Sequence, residues 1–168
     1  KVEFVDLLLE RGATVPEKGE KWAAALSEAV SRGLGRLFGR LTAAGQDLKA
    51  LDPRGDRLVH AAAAGGSVEI VGRLRDQGFS PAAADRFGWT PLHYAARDGR
   101  SEVLRALIAR RAPLDARTLM GQTAYNVAVE RDMAAAASLL AEKGADRSDI
   151  RFPGLEGDYL GQKPPGDT

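Results

Sequence analysis

The sequence contains no cysteine, which excludes a disulfide scaffold, a thiolate metal site and a cysteine nucleophile, and leaves the redox compartment undecided. Imidazole is nearly as scarce, with His60 and His93 the only two copies. Aromatic side chains make up only 6% of the residues, although 44% are hydrophobic and can bury a substantial core. No run of 18 apolar residues occurs, and a membrane-spanning helix is therefore not expected. Neither charge dominates: 24 basic and 23 acidic side chains leave a net +1, without the electrostatic footprint of a general nucleic-acid binder. The serine elbow of a hydrolase and the His-Glu-x-x-His helix of a zinc protease are both missing. We expect neither catalysis nor a cofactor.

What the chain does contain is a segment that recurs. Gly88-Trp89-Thr90-Pro91-Leu92-His93-Tyr94-Ala95-Ala96 reads as a turn leading into a capped helix. Thr90 is suited to the N-cap and Pro91 to the first helical position, where a missing N–H costs nothing. Gly99 stops that helix. A second one follows, with Ser101 as the expected N-cap and Val103, Leu104, Leu107 and Ile108 on one face. Thirty-three residues earlier stand Gly55, His60, Ala62, Ala63, Gly66, Ile70, Val71 and Leu74, and 33 residues later Gly121, Thr123, Ala128 and Leu140.

The Thr-Pro-Leu-His-x-Ala segment at 90–95 and the period of 33 make the chain similar to ankyrin-repeat proteins. The resemblance implies an all-α solenoid of stacked antiparallel helix pairs joined by short hairpin fingers. It divides residues 1–150 into a partial repeat, 1–18, and repeats 19–51, 52–84, 85–117 and 118–150. Helix pairs are expected near 22–31 and 35–44, 57–64 and 68–76, 91–98 and 102–110, and 124–131 and 134–143. A lone helix with Phe4, Val5, Leu8 and Leu9 precedes them as the second half of a repeat whose first helix is absent. That end is expected to be sticky and prone to self-association.

The copies are unequal. In repeat 19–51 Trp22 stands where the turn glycine belongs, which predicts an altered finger. Gly33, Gly35 and Gly39 do not have the spacing of a phosphate loop, and no strand precedes them. Repeat 52–84 replaces Thr-Pro by Arg57-Leu58, with Asp56 the substitute cap. Asp52 and Asp85 are expected on fingers open to water, bracing turns. Repeat 118–150 keeps Thr123 but exchanges the histidine for Asn126. Residues 151–168 break the period, with three prolines and four glycines, and form a linker or tail. Within it, Tyr159 to Gly166 resembles the segment that joins ankyrin repeats to TolB-like β-propellers in bacterial envelope proteins. That likeness implies a further domain and a periplasmic or cell-surface setting.

For function the family resemblance implies a protein-interaction module. Its recognition positions fall on finger tips and on the inner helix before its terminal glycine: Arg86, Phe87, Trp89, Arg97 and Asp98, then Leu119, Met120, Gln122, Glu130 and Arg131. The alternative is a spacer or docking domain for a downstream domain of the same chain. His60, His93, Thr90 and Thr123 are assigned structural roles. Helices of adjacent repeats lie about 8 to 10 Å apart, whereas two nitrogens sharing a zinc each sit about 2.0 to 2.1 Å from it, so the histidines are expected to hold no metal.

Overall fold

The computed structural model describes residues 20–43, 48, 52 and 57–148. The lone N-terminal helix, Asp56 and the tail from 151 onward lie outside the described residues, as does the side chain of Trp22. Among the described residues the elements are helices: α1 (Glu20–Ser31), α2 (Gly35–Thr42), α3 (Arg57–Gly65), α4 (Val68–Asp76), α5 (Pro91–Arg97), α6 (Ser101–Ala109), α7 (Ala124–Glu130) and α8 (Ala134–Glu142). No end departs from its expected position by more than two residues. None of these helices is long and apolar enough to cross a membrane.

Each helix is too short to be stable alone, since isolated helices below about 12 to 15 residues are marginal in water. Packing against neighbours supplies what propensity cannot. The inner helices α1, α3, α5 and α7 pack in series, and each leans on its own outer partner, α2, α4, α6 or α8. The core is correspondingly a continuous slab. Val30, Phe38, Ala62, Ala63, Ile70, Leu74, Leu92, Ala95, Leu104, Leu107, Ala128 and Leu140 are all fully buried in it. Alanines at 62, 95 and 128 recur at the same place in successive inner helices and are each fully buried.

Helix starts are handled differently from one repeat to the next. Ser67 caps α4 by accepting from the Ile70 amide at 3.3 Å. The expected cap of α6, Ser101, is instead its first helical residue; Arg100 precedes it and makes no side-chain cap bond. The Arg100 side chain reaches back to donate to the Ala64 carbonyl at 2.8 Å, occupying an orphan acceptor in the last turn of α3. Asp52 also departs from expectation. It is 3% exposed and not open to water, and its carboxylate accepts from the Leu58 amide at 2.9 Å, a free donor in the first turn of α3.

Candidate functional site

The fingers of the last two described repeats are built around one polar side chain each. In the first, Asp85 Oδ1 accepts from the Phe87 amide at 2.8 Å and the Trp89 amide at 2.9 Å. The Asp85 amide donates to the Trp89 carbonyl at 2.9 Å and the Gly88 amide to the Asp85 carbonyl at 3.0 Å. Oδ2 takes the Tyr94 hydroxyl at 2.9 Å, tying the finger to α5. Burial pushes the Asp85 carboxyl up, but its donors, Trp89 N–H, Tyr94 O–H and Phe87 N–H, outweigh that and hold it below the usual carboxylate range. Thr118 does the same work one repeat later, its hydroxyl accepting from the Met120 and Gln122 amides at 3.2 and 3.3 Å.

The two fingers touch through main chain. The Leu119 amide donates to the Phe87 carbonyl at 2.9 Å. Gly88 has φ +76°, and a Cβ there would lie 3.1 Å from the Leu119 nitrogen and from the Thr118 Cα, so both conformation and space require glycine.

Beneath the fingers lies His93, wholly buried. Its Nδ1 stands 3.1 Å from the Thr90 amide and 2.9 Å from the Thr90 hydroxyl, while Nε2 stands 3.1 Å from the Gln122 carbonyl. An amide can only donate and a carbonyl can only accept, so Nδ1 is bare and Nε2 carries the proton. Burial lowers the pKa of the ring, in keeping with this neutral form. His60 reaches the Ala83 carbonyl through Nε2 at 2.8 Å and stacks on Tyr94 with centroids 4.9 Å apart. Thr123 caps α7 by accepting from the Asn126 amide at 3.3 Å.

The ten positions on the finger and inner-helix face divide into two groups. Phe87, Leu119 and Met120 project into solvent at 52, 67 and 61% exposure, with the Arg86 guanidinium 4.7 Å above the Phe87 ring; Arg131 is exposed as well. The rest are tied down. Trp89 is half-buried, with centroids 5.3 Å from Tyr94 and 5.9 Å from His93. Arg97 lies 5.0 Å above Tyr94 and 6.0 Å from Trp89, and forks onto Asp98 with bonds of 2.9 and 2.8 Å. The Arg97 hydrogen bonds hold Asp98 below its ordinary pKa. Gln122 donates to Glu130 at 2.6 Å.

Arg117 adds an anchor that its place in the sequence does not single out. Half-buried, it donates to the Gly121 carbonyl and to Asp146, both at 2.6 Å, and to the Ser148 hydroxyl at 3.0 Å. A lone arginine at the start of a finger carries no signal of this, because two of its three partners lie about thirty residues downstream.

The family model for ankyrin repeats (three copies) matches residues 26–118 and 60–151, and the chain belongs to the ankyrin-repeat family. Among similar proteins, protein phosphatase 1 regulatory subunit 12A of Mus musculus is 38% identical over 76 residues, covering 45% of this chain and 7% of that protein. B-cell lymphoma 3 protein of Homo sapiens is 41% identical over 81 residues, 46% of this chain and 18% of its own length. A putative ankyrin repeat-containing protein of Treponema pallidum is 38% identical over 84 residues, 48% of this chain and 28% of that one. The chain thus spans less than a third of each of these three relatives. Ankyrin repeats are, as a family, protein-interaction modules and typically not enzymes.

Proposed function

We propose that this chain binds a protein partner on the face formed by its fingers and inner helices, with Phe87, Leu119 and Met120 as the apolar anchors and Arg86 and Arg131 at their margin. The observation that carries this reading is the exposure of three large apolar side chains on two fingers joined by a main-chain hydrogen bond. Single exposed apolar residues are ordinary, but a contiguous group rimmed by charge marks an interaction site. Aromatic, Met and Arg side chains are also those enriched where binding energy concentrates. Trp89, Arg97 and Gln122 support the surface from behind, since their polar and aromatic groups are already engaged.

A photo-crosslinking amino acid placed at Met120 in the protein expressed in its own cells tests this. The expected product is a discrete adduct that disappears when Phe87 and Leu119 are both changed to Ser. Adducts of equal yield with and without those changes would remove the fingers from the site. The carboxylates of this face argue for a partner that does not depend on binding basic groups: Asp85, Asp98 and Glu130 are all satisfied internally.

A further inference from the structure

Successive inner helices pack in series, and large side chains fill the groove between them at matching positions. Between α3 and α5 the Tyr94 ring stacks on His60, centroids 4.9 Å apart, and its hydroxyl donates to Asp85 at 2.9 Å. Between α5 and α7 the groove holds His93, with Trp89 at 5.9 Å, and the buried Val127. The groove between α1 and α3 has nothing comparable. Thirty-three residues before His60 and Tyr94 stand Ser27 and Ala61, and Ala23 holds the position that Trp89 has two repeats later. These small side chains leave a cavity of about 630 Å³, lined by Ala23, Ser27, Ser31, Leu58 and Ala61 with Asp52 in its wall. Exposure records the difference: His60 is buried, whereas Ser27 is open to solvent.

We propose that this cavity receives a tyrosine side chain of the protein partner, its ring over Ala61 and against Ser27, where Tyr94 lies against His60 one repeat later, and its hydroxyl turned to Asp52. This rests on the proposed protein-binding role and is independent of the fingers at Phe87 and Leu119, which belong to later repeats. Shape argues for a flat ring, since the chain fills the equivalent groove with one. Charge argues for a ring that carries a donor. Asp52 is the counterpart of Asp85, and its Oδ2 accepts from the Leu58 amide at 2.9 Å. At the place of Leu58 the later repeat has Pro91, which has no amide hydrogen to give, and there the Tyr94 hydroxyl is the donor. A carboxylate accepts several hydrogen bonds, so Asp52 can hold the Leu58 amide and a phenol together. Glu28, also lining the cavity and exposed, adds a second carboxylate that favours a donor over an anion. An aromatic ring with a polar tip suits a site of this kind, apolar along its sides and hydrogen-bonding at one end.

The chain has no cysteine, and Ser31→Cys therefore places a single thiol in the cavity wall. Joined to it by disulfide exchange, a 4-hydroxyphenyl probe and a cyclohexyl probe on the same cysteamine linker meet the cavity at equal effective concentration. Intact-mass measurement across a titration with 2-mercaptoethanol reads which adduct is retained. The hydroxyphenyl adduct is expected to withstand about tenfold more reductant. Ala61→Tyr, which seats the chain's own ring in the cavity, should abolish that preference. Ser27→His with Ala61→Tyr rebuilds the stacked pair of His60 and Tyr94 and should raise Tm, which also shows that the substituted chain folds. Equal retention of the two probes, a preference that persists with Ala61→Tyr, or a Tm that does not rise overturns the proposal. The photo-adduct at Met120 separates the two readings: its formation alongside equal probe retention keeps the fingers and removes the cavity, and the opposite pair of results does the reverse.

Discussion

His93 and Asn126 stand at the same place in successive repeats, close the same cap with different atoms, and each donate to a main-chain carbonyl further along the chain. His93 Nδ1 accepts from the Thr90 amide at 3.1 Å, and Asn126 Oδ1 from the Thr123 amide at 2.9 Å. His93 Nε2 donates to the Gln122 carbonyl, and Asn126 Nδ2 to that of Ser148. The amide is a non-titrating version of the neutral imidazole. Both side chains close their own helix cap and fasten the next segment in one gesture.

A pH dependence follows. The His93 pKa is lowered in the folded protein, so the unfolded chain binds the extra proton first, and stability falls as pH drops below the unfolded value of about 6.5. Asp85 and Asp98 are shifted down as well. Their contribution is intact above about 3.8 and is lost only in more acid solution. Thermal unfolding from pH 7.5 to 5 should show a declining Tm, and His93→Asn should flatten that decline even if it lowers Tm at neutral pH. A slope unchanged by His93→Asn would assign the acid sensitivity elsewhere.

Arg111 occupies a position that belongs to glycine. Its φ is +60°, and the equivalents Gly78 and Gly144 lie at +84° and +85°. All three precede the same closing bond, from Phe79, Ala112 and Ala145 to a carbonyl five residues back. A left-handed conformation costs a non-glycine residue about 1 to 2 kcal/mol, partly offset by the greater unfolded freedom of glycine. Arg111→Gly should therefore stabilise by about 0.5 to 1 kcal/mol, a rise in Tm of about 1 to 4 °C. Gly144→Arg should do the reverse.

Phe87 and Trp89 sit two residues apart and should behave oppositely. Trp89→Ala strips contacts from His93, Tyr94 and Arg97 and is expected to cost about 2 kcal/mol in urea unfolding. Phe87→Ala should change stability by less than about 0.5 kcal/mol and show its effect in partner capture alone. Equal losses of stability would mean that the exposed ring braces the finger.

Arg117→Ala is expected to cost about 1 to 2 kcal/mol. Two of its three bonds go to the Gly121 carbonyl and the Ser148 hydroxyl, which salt does not screen as it does an ion pair. Most of the loss should thus persist in high salt. A variant whose deficit vanishes there would show the Asp146 ion pair to be the main contribution.

The helices were legible because the apolar residues, alanines and glycines at fixed offsets each dictate one local event. What lay beyond reading were the choices a neighbour makes. Ser67 and Arg100 hold the same register position, yet one caps its own helix while the other crosses to the preceding repeat. Asp52 was expected in water and is buried because the free amide of Leu58 needs it. The outward face of Phe87, Leu119 and Met120 was visible as large apolar residues at finger positions. The engagement of Trp89, Arg97 and Gln122 was not, since it depends on rotamers meeting across a finger and a helix.

The long-range hydrogen bonds from His60, His93, Asn126 and Arg100, and the one between the fingers, all end on a main-chain carbonyl: those of Ala83, Gln122, Ser148, Ala64 and Phe87. A carbonyl is present whatever side chain its residue bears. This part of the coupling between repeats is blind to the identity of the residues it grips, unlike the Arg117 bonds to the Asp146 and Ser148 side chains, and it does not constrain which side chains stand at the tips 87, 119 and 120. On the proposed binding face, specificity would rest on atoms other than these main-chain links, and the surface could be retargeted one finger at a time.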